Sequence, residues 1–271
     1  MEYFIGLIVV LSGIIILSIF ICRMYEVFGD LVGVPFNHLR IQQPLSEKDR
    51  RLLNAYSGLY RSLSPIGKKE FEKRLRHFMV NKRFIKRGNQ QITHEMKLLV
   101  SSVAVQLTFG LKRTFFYKFP NILIYPQKYV SKITNKTHKG EVNLAGLIVF
   151  SWEDFLEGLK DPEDGINLGL HEFAHALKLE DAMHDEEYAL IDKAALRRWR
   201  KLSESELEKV RSGENTFLRK YAGTNRDEFF AVCVEQFFEQ PDEFYNALPE
   251  LYTALSEVLN QDPANKIPIA G

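Results

Sequence analysis

His171-Glu172-Phe173-Ala174-His175 places two imidazoles four residues apart with a carboxylate beside the first. On a helix, positions four apart share a face, so His171 and His175 can converge on one ion. Two neutral imidazoles suit Zn²⁺, and a catalytic zinc keeps one position open for water. Glu172 is offset by one residue, where it can take a proton from that water without ligating the metal itself. The motif follows a turn, Asp161-Pro162-Glu163-Asp164-Gly165, and Leu168, Leu170, Ala174 and Leu177 give helical apolar spacing around it. Two histidines on an ordinary surface helix are the plainer reading of the same five letters.

A catalytic zinc needs a third protein ligand. The metzincin pattern would put Gly three residues after the second His, but Lys178 stands there and Asp181 stands three further on. Asp181 and His184 are therefore poor candidates. A carboxylate from a later helix is the alternative. Residues 224–239, TNRDEFFAVCVEQFFE, have helical character, with Thr224 and Asp227 able to cap the start. Carboxylates on so apolar a helix are costly to bury unless paired or metal-bound. Glu228 is the first choice, and Glu235, seven residues on, is the second or else an acceptor for a ligand imidazole N–H. A plain salt bridge is an equal reading for Glu235. Tyr221 lies seven residues before Glu228; its phenol could donate to an oxyanion, although a tyrosine ahead of a helix more often just packs.

The elements that must hold these groups are mostly helical. Ser46-Glu47-Lys48-Asp49 is a capping-box start, and residues 92–109 read as a buried helix with Gly110 ending it. His94 reads as structural. Residues 68–87 form a basic amphipathic stretch, read as a core-facing helix with a solvated charged face, or as a contact for anionic lipid. Residues 121–125 (NILIY) and 141–150 (EVNLAGLIVF) read as strands, predicting a small antiparallel sheet packed on helices. Such a sheet could offer an edge to an extended substrate or be plain scaffold. Ser151 caps a short helix before the turn, residues 186–200 and 203–212 read as two helices, and Pro249 begins the last one.

Ahead of all this, residues 3–22 carry no charge over twenty positions, enough to span about 30 Å of hydrocarbon. With no basic n-region and no small-residue cleavage site, the run reads as an uncleaved anchor. Arg23 follows it and no Lys or Arg precedes it, which predicts a cytoplasmic C-terminal domain. The organisation is an anchor at 1–23, a linker at 24–43, a catalytic domain at 44–260 and a tail at 261–271. A chain of 271 residues, 45% hydrophobic and 26% charged, is globular. Its formal net charge of +1 argues against nucleic acid as a partner. Cys22 and Cys233 make no disulfide framework.

Residues 149–179 (VFSWEDFLEGLKDPEDGINLGLHEFAHALKL) and 221–241 (YAGTNRDEFFAVCVEQFFEQP) resemble the Mlc titration factor A family of zinc metallopeptidases. Fainter echoes run from about Pro44 to Leu259. The resemblance implies an α+β, mainly helical, zincin-like metallopeptidase domain with a small sheet, similar to the catalytic domain of anthrax lethal factor. It implies zinc on His171, His175 and Glu228, Glu172 as base and Tyr221 as transition-state donor. It also implies aminopeptidase-type activity on peptide or protein substrates, and one family member titrates a transcriptional repressor. Two departures stand out: Lys178 replaces the family's usual continuation after HEFAH, and the anchor is absent from the best-known members. Two functions are therefore weighed: a membrane-tethered zinc peptidase, and a tethered module that sequesters a protein regulator.

Overall fold

The computed structural model describes residues 44–111, 116–131, 135–182 and 191–266. Pro44–Gly271 forms one compact unit. The anchor expected at residues 3–22, the linker at 24–43 and His184 lie outside the described residues. Among the described residues, no helix is long and apolar enough to cross a membrane.

The unit opens with α1 (Glu47–Tyr56), α2 (Gly58–Ser62) and α3 (Pro65–Asn81). The capping box at Ser46 is formed: its hydroxyl accepts from Asp49 N at 3.1 Å, and Asp49 Oδ2 accepts from Ser46 N at 3.2 Å. The other Asp49 oxygen lies 2.9 Å from His94 Nε2, so this histidine ties α1 to the start of α4 (His94–Thr108). Helix α4 is buried nearly all round, as its mostly apolar sequence requires. It packs against α3 on one side and against α6, the HExxH helix, on the other.

Strands β1 (Arg83–Lys86), β2 (Asn121–Tyr125), β5 (Gly140–Asn143) and β6 (Leu147–Ser151) form one sheet in the order β1-β2-β6-β5. A separate antiparallel pair joins β3 (Tyr129–Val130) to β4 (Thr137–His138). The small sheet is present, but its pairing is mixed rather than antiparallel throughout. Strand β2 runs parallel to both β1 and β6. The stretch read as one strand over 141–150 is a hairpin, turning at Leu144–Gly146, where Gly146 adopts φ +79°. The antiparallel contact is therefore internal to that stretch, and the reversal sends β6 back alongside β2. A β-carbon on Gly146 would lie 2.8 Å from the Lys118 carbonyl, so the turn requires glycine on two counts.

Ser151 ends β6 and caps α5 (Trp152–Lys160), its hydroxyl accepting from Asp154 N at 3.4 Å and donating to Asp154 Oδ2 at 2.6 Å. Helix α6 (Leu168–Ala182) then packs against β5 and β6 and carries the motif. Its buried face centres on Phe173, whose ring lies 5.2–5.9 Å from those of Phe78, Phe116 and Phe150. One helix, α7 (Lys193–Ser212), replaces the two expected. No breaker separates Arg200 from Ser203, and Ser203 satisfies its hydroxyl on the Arg200 carbonyl. A 3₁₀ turn at Lys220–Gly223 leads into α8 (Arg226–Glu239), which packs along α6. Asn225 caps α8 by accepting from the N–H groups of Asp227 and Glu228. Thr224, the expected cap, instead donates to the Tyr221 carbonyl. Helices α9 (Pro241–Ala247) and α10 (Pro249–Leu259) close the chain, each with proline in its first turn.

Candidate metal centre

Helix α6 supplies the two histidines of the centre. Asn167 starts this helix, accepting from Leu170 N at 2.9 Å, while its carbonyl receives the His171 N–H. One turn into the helix, His171 and His175 stand on the same face. Their rings meet edge to face at 4.7 Å, with Nε2 atoms 3.1 Å apart. From the first turn of α8, Glu228 brings Oε2 to 3.0 Å from His171 Nε2 and 3.6 Å from His175 Nε2. These three residues form the potential metal-binding group among the described residues.

Donor atoms held about 2.0–2.1 Å from a tetrahedral zinc sit roughly 3.3 Å from one another. The three separations here bracket that value. Glu228 Oε2 is also buried and receives no well-directed hydrogen bond, although both imidazole nitrogens are near. The three atoms are close together and Glu228 Oε2 has no hydrogen bond of its own, as expected of ligands aimed at a common point. The donor set, two imidazoles and one carboxylate, fits a divalent metal with a free position.

The charges agree. Burial raises the Glu228 carboxyl's pKa, but the adjacent imidazoles of His171 and His175 outweigh it and hold the group well below the carboxylate range. Burial likewise opposes charging His171, yet Glu228 and Glu235 push its pKa up to about 10. A metal bound there would supply the positive charge between them and require neutral imidazoles.

Glu235 does not ligate. It is 1% exposed and accepts from three sides. His171 Nδ1 lies 2.7 Å from Oε1, Arg219 Nη2 lies 2.5 Å from the same oxygen, and Asn167 N donates to Oε2 at 2.7 Å. A carboxylate on the far nitrogen of a ligand histidine fixes its tautomer and ring orientation. Asp181 turns away: it accepts from Ile191 N and lines a separate hollow of about 290 Å³ with Trp199 and Phe230. Lys178 pairs with Asp227, linking α6 to the residue before Glu228.

Glu172 is 6% exposed, and burial pushes its pKa up to about 7. It borders a cleft of about 470 Å³ lined by Thr137, Lys139, Gly140, Ile166, Arg219 and Tyr221, with His171 at its base. Tyr221 is half exposed, with its ring 6.0 Å from that of His171. Burial and the adjacent Glu228 carboxylate push its phenol up to about 12, so it stays protonated at neutral pH. Sequence reasoning missed Arg219, Asn167 and Gly140. Asn167 alone left a local signal, an Asx residue three before Leu170 at the head of an apolar helix.

Residues 37–259 match the family described as glucose-regulated metallo-peptidase M90. An uncharacterized protein of Synechocystis sp. is 28% identical over 238 residues, 82% of this chain and 86% of its own length. Mlc titration factor A of Klebsiella pneumoniae is 24% identical over 224 residues, 76% of this chain and 83% of its own. Mlc titration factor A of Serratia proteamaculans is 27% identical over 168 residues, 55% of this chain and 63% of its own. With most of its length matched and the His-His-Glu group at its centre, this chain belongs to the Mlc titration factor A family, the glucose-regulated metallo-peptidases M90.

Proposed function

We propose that the chain is a zinc-dependent peptidase that hydrolyses peptide bonds in peptide or protein substrates. We further propose that residues 3–22 anchor it in a membrane with the catalytic domain in the cytoplasm. The observation that carries the catalytic reading is the convergence of His171 Nε2, His175 Nε2 and Glu228 Oε2 within 3.0–3.6 Å, with Glu172 next to them on the cleft. Zinc held by these three supplies a Lewis acid and brings the pKa of a water towards neutrality.

This chain's own groups do the rest. Glu172 accepts the proton of the attacking water and passes it to the leaving amine; its buried carboxyl already has the raised proton affinity the shuttle needs. Tyr221, protonated and facing the cleft, donates to the oxygen that gains charge as the carbonyl becomes tetrahedral. Strand β5 is an outer strand of the sheet, next to α6, so an extended substrate can pair along it.

The test is Glu172→Gln. It keeps zinc bound at wild-type stoichiometry and loses hydrolysis of a chromogenic aminoacyl and blocked-peptide panel; full turnover in this variant rejects the mechanism. Within the panel, cleavage of only the substrates with free amino termini assigns aminopeptidase action. The name Mlc titration factor A, carried by several relatives, favours a second reading in which the chain captures a protein regulator. Bound zinc with no turnover on any substrate, together with regulator binding undiminished in Glu172→Gln, supports that reading.

A further inference from the structure

Behind the metal ligands, a line of hydrogen bonds continues past Glu235. Asn167 donates its backbone N–H to Glu235 Oε2 at 2.7 Å and its side-chain amide to Glu239 Oε1 at 2.9 Å and to the Gly158 carbonyl at 3.1 Å. Its side-chain oxygen accepts from Leu170 N. Every polar group of Asn167 is thus committed, and the residue is 4% exposed. Glu235 and Glu239 are four apart on α8, so both face the start of α6. A capping asparagine needs only its side-chain oxygen. The buried carboxyl on its amide adds a grip from the far end of α8, on the residue whose backbone fixes Glu235.

From this geometry we infer that Asn167 and Glu239 are positioning residues for the metal centre, acting in series through Glu235 on the ring of His171. The inference rests on the metal reading of the site. Glu239 sets the orientation of the Asn167 amide. Asn167 holds the second oxygen of Glu235, leaving the first to face His171 Nδ1. Burial pushes the Glu239 carboxyl up to about 8, towards the uncharged form, and an amide of the same shape can replace it. A side chain that only filled space would affect folding without changing the affinity of the folded protein for zinc.

The experiment measures zinc dissociation constants by chelator competition on the full chain. Wild type is compared with Glu239→Ala, Glu239→Gln, Asn167→Ser and Glu235→Gln, and with the Glu235→Gln/Glu239→Ala double variant. Glu239→Ala and Asn167→Ser are expected to weaken zinc about 10-fold or more, the range for partners of ligand histidines. Asn167→Ser keeps a capping oxygen, so its loss is not a loss of the cap. Glu239→Gln is expected to stay within about twofold, because Gln retains an acceptor for the Asn167 amide. In the Glu235→Gln background, Glu239→Ala is expected to add little. Thermal unfolding of the metal-free proteins separates affinity from folding. Undiminished affinity in folded Glu239→Ala overturns the proposal, as does an equal loss in the Glu235→Gln background. A wild-type chain that takes up no zinc overturns the metal reading itself, a failure distinct from either.

Discussion

Gly140, the first residue of β5, lies directly against the carboxyl of Glu172: a β-carbon built on Gly140 would fall 2.3 Å from Oε1 and 2.6 Å from Cδ. The backbone of an outer strand thus packs on the proposed base, a contact that only glycine permits. Gly140→Ala is therefore expected to displace Glu172. A shift of about 1 Å in a catalytic group can cost on the order of 100-fold in rate. The expected outcome is a fall in kcat of that order with zinc content unchanged, read by turnover and metal analysis on the same preparation. Unchanged kcat would mean that the strand moves instead of the carboxylate.

Glu235 holds His171 from behind, and Arg219 holds Glu235. Glu235→Gln replaces an anionic acceptor with a neutral one, and zinc affinity is expected to fall about 10- to 100-fold. Arg219→Met is expected to fall in the same direction. It also releases the Gly165 carbonyl that Arg219 Nη1 holds at 2.7 Å. Competition with a chromogenic chelator measures both.

Metal removal should be visible as lost stability. A ligand present at 100 times its Kd stabilises the folded state by about 2.7 kcal/mol. For a domain of this size, that corresponds to a Tm change of roughly 5–10 °C. Chelated protein is expected to melt lower by that margin and to recover when zinc is returned. His175→Ala should melt at the same temperature with or without zinc.

A pH-dependent contribution lies away from the centre. Glu72 accepts from Arg50 at 3.0 and 3.1 Å and from the Tyr60 hydroxyl at 2.8 Å. Burial by itself would raise the Glu72 carboxyl, but these hydrogen bonds hold it below its ordinary 4.5. A carboxyl depressed in the folded state stabilises above its unfolded pKa, and the gain disappears as pH falls through the folded value. Glu72→Ala is expected to cost about 1.5–3 kcal/mol at pH 7, the range for hydrogen bonds to a charged group. The gap from wild type should narrow as pH drops below 4.5, as read by urea unfolding across pH.

Phe173 points from the motif into the core, ringed by Phe78, Phe116 and Phe150. Phe173→Ala is expected to cost about 3–5 kcal/mol of stability. Where the variant still folds, zinc should bind more weakly, because the helix holding both imidazoles loses its seat. Denaturant unfolding and chelator competition measure the two effects.

The parts of this arrangement that are local in sequence could be read from sequence. His171, Glu172 and His175 sit within one turn and a third of α6, so helical geometry alone puts the imidazoles together. Glu228 was reachable because a carboxylate on an apolar helix demands a reason, and its burial beside two imidazoles supplies one. What escaped depends on contacts between distant segments. Gly140 meets Glu172 only because the 141–150 stretch doubles back, and a run of alternating apolar residues does not distinguish a strand from a tight hairpin. Arg219 left no local mark in the sequence because its partner, Glu235, lies 16 residues on. Asn225 and Thr224 are both competent caps, and only the backbone of the preceding 3₁₀ turn decides between them.

Helix α8 carries Glu228, Glu235 and Glu239 at intervals of seven and four, one stripe on a single rod. Each added or deleted residue rotates the remainder of the rod by roughly 100°. Lengthening it by one between Glu228 and Glu235 would therefore swing two carboxylates into the apolar packing and bring phenylalanines round to the imidazoles. Point changes can adjust this protein by degrees, but one residue gained or lost between Glu228 and Glu235 disrupts ligand support and core together. The spacing of α8 must be inherited whole.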